Sequence, residues 1–136
     1  MPYLHNYRLF VSHAWRYSEG YNRAVRFLND ANNFVWTNYS VPVDKKFEGM
    51  SDEQLRLQLA HQIRPTQCVV VLAGMYAHHS NWIHFEMEYA KLLKKPILGI
   101  VPWGQERTPQ LVQNYATKMV AWNAASIVAG IREITP

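Results

Sequence analysis

The sequence predicts a three-layer α/β fold, in which helices cover both faces of a five-stranded, mostly parallel sheet. Short apolar runs alternate with amphipathic segments through nearly all of the 136 residues. Such alternation implies right-handed β-α-β crossovers and a parallel sheet. Hydrophobic residues make up 49% of the chain and charged residues 18%, so the chain can bury a core. Its length fits a single domain over residues 1–136.

Five short apolar runs are expected to form the strands. The run at 68–73 is apolar throughout, which is typical of a strand covered on both faces. We expect the flavodoxin-like strand order 2-1-3-4-5, which reverses between the first and third strands. The remaining expected strands are residues 7–12, 34–37, 96–101 and 119–122.

Amphipathic segments between these runs predict the helices. Four of them begin at a side chain that can accept a hydrogen bond from the first helical turn. These candidate caps are Ser18, Ser51 (with Gln54 completing a capping box), Ser80 and Asn123. The expected helices are residues 19–29, 51–63, 80–94 and 108–115, with a last helix that follows Asn123.

This topology predicts a ligand cleft where the strand order reverses, beyond the carboxyl ends of the strands. Residues 12–15, 38–44 and 74–82 are the segments expected to line it. No Gly-rich phosphate loop follows the first strand, which disfavours a flavin or P-loop site. The acids of a phospho-accepting receiver are also missing there. We expect no metal site, because the chain has one cysteine, Cys68, and its position in an apolar run indicates a core residue.

Charge and hydropathy limit the partners that we expect. The net charge is +4 and the sequence pI is about 9.3, a balance that mildly favours anionic partners such as nucleotides. The pairs Lys45-Lys46 and Lys94-Lys95 are too sparse to predict nucleic-acid binding. No apolar run approaches the ~20 residues of a membrane span, and no signal peptide is visible. We therefore expect a cytoplasmic protein that binds neither membranes nor nucleic acid.

One carboxylate in the third predicted helix is not explained by packing. At about 100° per residue, Glu86 falls on the same apolar face as Trp82 and Tyr89, whereas Glu88 falls on the polar face. Burying a carboxylate is costly unless it is paired. Glu86 therefore either has a structural partner such as Arg8, reaches water at the edge of the face, or serves a ligand in the cleft. A lone carboxylate suits the stabilisation of an oxocarbenium-like sugar cation.

Three motifs together resemble TIR-like domains over essentially the whole chain. Residues 9–15 (LFVSHAW) resemble the opening strand of that family. Residues 38–42 (NYSVP) resemble the loop after the second strand in TIR-like proteins of the bacterial Thoeris antiphage system. Residues 80–86 (SNWIHFE) resemble the Trp-x-x-x-Glu helix of the family, whose Glu is catalytic in NAD-cleaving members. The box motifs of receptor TIR domains are matched only loosely.

The resemblance implies a flavodoxin-like/TIR-like fold and an enzyme that consumes NAD as its substrate, with no further cofactor. Its product would be a cyclic ADP-ribose isomer that activates a separate effector, and TIR-like contacts would allow self-association. Glu86 matches the catalytic position. The expected substrate-binding residues are Phe10, Ser12, His13, Tyr39, Ser40 and Trp82. Two alternatives stay open: a non-catalytic TIR-like interaction module, and a related nucleoside deoxyribosyltransferase.

Overall fold

The strands form one parallel sheet with the expected order. The structure, a computed structural model, describes residues 6–12, 19–39, 52–72, 76–101 and 110–135. Within them the order is β2-β1-β3-β4-β5, and every neighbouring pair is parallel, which confirms the prediction. The strands are β1 (Asn6–Ser12), β2 (Val35–Asn38), β3 (Cys68–Leu72), β4 (Ile97–Ile100) and β5 (Lys118–Val120).

Helices lie on both faces of this sheet. They are α1 (Glu19–Asp30), α2 (Asp52–Ile63), α3 (Tyr76–Leu92), α4 (Gln110–Tyr115) and α5 (Ala124–Ile134). α1 and α5 contact each other, and α3 contacts α2 and α4, so the two groups form the outer layers. The predicted cap of α5 is confirmed, since the Asn123 side chain accepts a hydrogen bond from the Ser126 amide at 2.8 Å. The caps predicted at Ser18 and Ser51 lie outside the described residues.

The start of α3 corrects the sequence-based prediction. We expected this helix to begin at Ser80, but it begins at Tyr76, so Ser80 lies inside it. The physical reason is that residues 76–79 contain neither Gly nor Pro, so a helix can include them and gain backbone hydrogen bonds that a later start would lose. The correction moves Glu86 from the early turns to nearly three turns beyond the helix start.

The core is centred on the three interior strands, β1, β3 and β4. Leu9, Val11 and Val70 are 0% exposed, as expected for strands covered on both faces. Cys68 is also fully buried, which confirms that it is a core residue, and this burial raises the pKa of its thiol to about 12. In the described parts of the chain, all helices are too short or too polar to cross a lipid bilayer.

Candidate functional site

The carboxyl edge of the sheet brings two of the predicted cleft segments together. The Tyr39 amide follows β2 directly and donates a hydrogen bond to the carbonyl oxygen of Leu9 in β1 at 2.9 Å. Ser12, the last residue of β1, is paired in register with Val71 of β3. The reversal of strand order lies between β1 and β3, as predicted. The ends of β1, β2 and β3 therefore border the place where ligands bind in folds of this type.

The predicted substrate-binding residues fall into three groups. Phe10 is 1% exposed and packs in the hydrophobic core beneath this edge. Tyr39 is half-buried directly after β2, and Trp82 lies on α3 four residues before Glu86. His13 and Ser40 lie outside the described residues. The structure thus places Phe10 and Ser12 on β1 and Tyr39 directly after the neighbouring strand β2, and their roles toward a substrate stay predictions.

α3 extends beyond the sheet that it covers. Its 17 residues span about 26 Å at 1.5 Å per residue. The five residues of β3 span about 17 Å. Because α3 follows β3, its first residues lie toward the carboxyl edge. Glu86 is ten residues from the start, near mid-height of the layer, and helical side chains lean toward the helix N-terminus. We therefore expect its carboxylate to lean toward the cleft edge.

The two acids of α3 have opposite environments. Glu86 is 3% exposed and lies beside Met87 and Ala90, which are both fully buried. Glu88 is exposed, with 55% of its side-chain surface accessible to solvent. The predicted separation of the two carboxylates is confirmed. Since the described core is otherwise almost entirely apolar, Glu86 is the acid that requires an explanation beyond solubility.

Glu88 interacts with polar groups on the outer side of α3. The Nε2 atom of His84 lies 2.8 Å from Oε1 of Glu88, one helical turn away. The same Nε2 atom is 3.4 Å from the hydroxyl of Tyr115, at the end of α4. The two rings meet edge to face, with 5.6 Å between their centroids. Glu88 therefore belongs to a surface network that joins α3 to α4.

Arg8, which the sequence suggested as an ion-pair partner of Glu86, forms a hydrogen bond with a different residue. Arg8 donates a hydrogen bond from Nε to the carbonyl oxygen of Pro65 at 2.8 Å, and its residue is exposed whereas Glu86 is buried. Glu86 itself takes part in at least one hydrogen bond or electrostatic interaction. A preorganised electrostatic group needs a carboxylate that neighbouring groups hold in place.

Comparison with known proteins identifies the fold class and then the family. A CMP N-glycosidase of Clostridium botulinum, BcmB, has a similar fold, with a TM-score of 0.56 and 14% sequence identity over 93% of this chain and 98% of that one. At this identity the likeness shows the fold, a three-layer α/β sandwich. The family model of the TIR-like domain of Thoeris protein ThsB matches residues 10–107. The chain belongs to this Thoeris TIR-like family. No curated protein matches it significantly.

Proposed function

We propose that this chain is an enzyme that cleaves NAD at the bond between nicotinamide and ribose and forms a cyclic ADP-ribose-type signal in antiphage defence. The observation that carries the proposal is the burial of Glu86, 3% exposed, on the helix that borders the cleft. Membership of the Thoeris TIR-like family supports the biological context. The fold is also one that supports N-glycosidic chemistry in the botulinum CMP N-glycosidase.

The chemistry matches what one carboxylate can do. When the bond between ribose C1′ and the pyridinium nitrogen breaks, its electron pair goes to nicotinamide, which leaves as a neutral base. Positive charge then develops on the ribose, and a fixed carboxylate opposes that charge in the transition state. Since the leaving group needs no proton, a second acid is not required. A nucleophile within the same ADP-ribose then attacks C1′ and closes the ring, whereas water would give linear ADP-ribose.

The remaining site residues are proposed in supporting roles. Ser12 and Tyr39 would contact the nucleotide from the ends of β1 and β2, and His13, Ser40 and Trp82 would complete its surroundings. Phe10 would support this surface from the core, where it is buried. We further propose that self-association through TIR-like contacts activates the enzyme, because a signalling enzyme that spends a central cofactor must be held inactive until it is needed.

A nucleotide N-glycosidase is the second candidate. It is favoured by the fold shared with the CMP N-glycosidase over 93% of this chain. Both reactions pass through a ribosyl cation that a carboxylate can stabilise. They differ in the leaving group, because an uncharged pyrimidine departs more readily when it is protonated whereas pyridinium does not need a proton.

The two candidates separate in one assay. Dilute protein, concentrated protein and protein in phage-infected lysate are each incubated with NAD or with CMP, and products are identified by mass spectrometry. We expect nicotinamide and a cyclic ADP-ribose isomer from NAD, with little turnover in the dilute sample. Release of cytosine from CMP without cleavage of NAD would establish the second candidate. Absence of both reactions in all samples would favour the non-catalytic interaction module.

A further inference from the structure

A second pocket lies at the opposite edge of the sheet from the cleft. It has a volume of about 620 Å³ and is formed where α3, α4 and α5 end and where β4 begins. Pockets of roughly 300–1,000 Å³ are the size that small ligands occupy. We call it the lysine pocket, because Lys91, Lys94 and Lys95 line it together with Asn114, Tyr115 and Thr117. None of the proposed NAD-site residues takes part in it.

The polar groups of the lysine pocket are mainly hydrogen-bond donors. The three lysines have no acceptor atoms in their side chains. Thr117 Oγ1 accepts a hydrogen bond from the Ile97 amide at 3.0 Å, which leaves its own proton to donate. Asn114 Oδ1 accepts from Gln110 Nε2 at 2.9 Å, so its amide nitrogen remains as a donor. A pocket that offers mainly donors is complementary to a ligand rich in acceptors.

Positive side chains outnumber negative ones in the lining of the pocket, with three lysines to one acid. The one acid of the lining, Glu133, is held by Lys118 at 2.8 Å. Among the described residues, no carboxylate forms an ion pair with the three lysines of the pocket. Burial, followed by the charge of nearby Arg8, lowers the pKa of Lys95. The excess of lysine side chains therefore favours an anionic ligand at this pocket.

The end of α3 does not need these lysines as caps. Lys94 adopts a left-handed backbone conformation with φ of 60°. The Lys95 amide donates to the Ala90 carbonyl at 2.9 Å, and the Lys94 amide donates to the Lys91 carbonyl at 3.0 Å. This is the Schellman arrangement, in which backbone amides satisfy the last carbonyls of a helix. Lys94 occupies the position where Gly is preferred, and backbone amides rather than lysine side chains satisfy these carbonyls.

From these contacts we infer that the lysine pocket binds a small organic phosphate, of the size of a nucleoside diphosphate. The phosphates would be held by the lysine ammonium groups and the neighbouring hydroxyl and amide donors. The apolar remainder would contact Pro96, Ile97, Ala116 and Ile134, which complete the lining. Such a ligand would bind at the opposite edge of the sheet from the predicted NAD cleft, so the two sites could be occupied at the same time.

The inference is tested by binding alone, without any measurement of NAD turnover. Titration of ¹⁵N-labelled protein with ADP should shift the amides of Lys95, Ala116 and Thr117, with a Kd on the order of 0.1 mM. Pyrophosphate and adenosine, each lacking half of the ligand, should bind more weakly than ADP. The affinity for ADP should also fall as salt is added, because the attraction is electrostatic.

Variants separate this pocket from any ADP bound in the NAD cleft. Lys91→Gln and the double change Lys91→Gln with Lys95→Gln should progressively weaken the shifts at the pocket amides, by about tenfold or more for the double. Arg26→Gln removes an exposed charge from α1 and should leave the affinity within about twofold. The spectra also report directly whether each variant is folded.

Any one of the following results would overturn the inference. They are the absence of shifts at the pocket amides, adenosine binding as tightly as ADP, pyrophosphate binding as tightly as ADP, and an equal loss of affinity in Arg26→Gln. Tighter binding of single-stranded RNA than of ADP at the same amides would also overturn it, since the ligand would then be a macromolecule. A failure of the NAD assay has no bearing on any of these outcomes.

Discussion

The inner and outer faces of α3 place the same type of side chain in opposite environments, one buried and one exposed. Both carry a glutamate, and the two glutamates are only two residues apart. On the outer face, Glu88 is exposed and is paired with His84 at 2.8 Å. On the inner face, Glu86 is buried, with 3% of its surface exposed. Two residues of helix turn one side chain by about 200° relative to the other, which produces this difference without any change in composition.

The contrast between the two environments marks Glu86, and not Glu88, as the candidate functional acid. An exposed carboxylate with a partner one turn away is common on helices and contributes little to stability. A buried carboxylate costs free energy through desolvation, which nearby interactions only partly offset. In our proposal the gain that offsets this cost is catalytic.

The largest effect on stability is expected at Met87, the apolar neighbour of Glu86. Met87 is 0% exposed, so Met87→Ala leaves a cavity and should lower the free energy of unfolding by about 2–5 kcal/mol. Urea denaturation followed by circular dichroism measures this loss. The control is Leu92→Ala, on the same helix but 75% exposed, which should change it by less than about 0.5 kcal/mol. Equal losses in the two variants would contradict the assignment of the inner face.

A smaller effect is expected for Glu86→Gln, which separates a functional acid from a structural one. The amide keeps the size of the side chain and most of its hydrogen bonding, and it removes a buried charge. The free energy of unfolding should therefore stay within about 1 kcal/mol of the wild type or rise. Breaking a buried structural ion pair would instead cost about 3–5 kcal/mol. A loss of that size in urea denaturation would show that Glu86 holds the fold together.

The smallest effect is expected for Glu88→Gln. This change removes one side of the exposed pair with His84, and exposed pairs are worth little. The thermal midpoint should fall by no more than about 2 °C in a domain of this size. Because salt screens such pairs, the small difference should shrink further in 0.5 M NaCl. A large drop that persists in high salt would mean that the network of His84, Glu88 and Tyr115 is a structural element.

Much of this architecture follows from patterns in the sequence. The apolar runs around Val11 and Val70 predicted the strands, because buried parallel strands need apolar side chains on both faces. The strand order was expected from the flavodoxin-like fold that the alternation of strands and helices indicates. Helical periodicity separated Glu86 from Glu88. The start of α3 was predicted wrongly at Ser80, since a capping residue is also tolerated inside a helix. Met87 was missed as an inner-face residue, because neighbouring helices on both sides bury a wider arc than one apolar face.

The lysine pocket could not have been predicted from the sequence. Lys94 and Lys95 form a short basic pair with no motif around them, and Tyr115 and Thr117 follow some twenty residues later. Only the parallel topology brings the ends of α3, α4 and α5 to the same edge of the sheet. Sites that are assembled from several helix ends leave no local signal of spacing, in contrast to a Trp-x-x-x-Glu helix, whose residues lie within one segment.

The central claim, that Glu86 drives NAD cleavage, is tested most directly by comparing Glu86→Gln with Glu88→Gln under conditions in which the wild type is active. Both variants remove one negative charge from the same helix, so the comparison isolates position. We predict that Glu86→Gln lowers the rate of nicotinamide release by about 100-fold or more, because the field that opposes the ribosyl cation is lost. Glu88→Gln should retain the wild-type rate. A Glu86→Gln variant that remains active, or an inactive Glu88→Gln variant, would contradict the account.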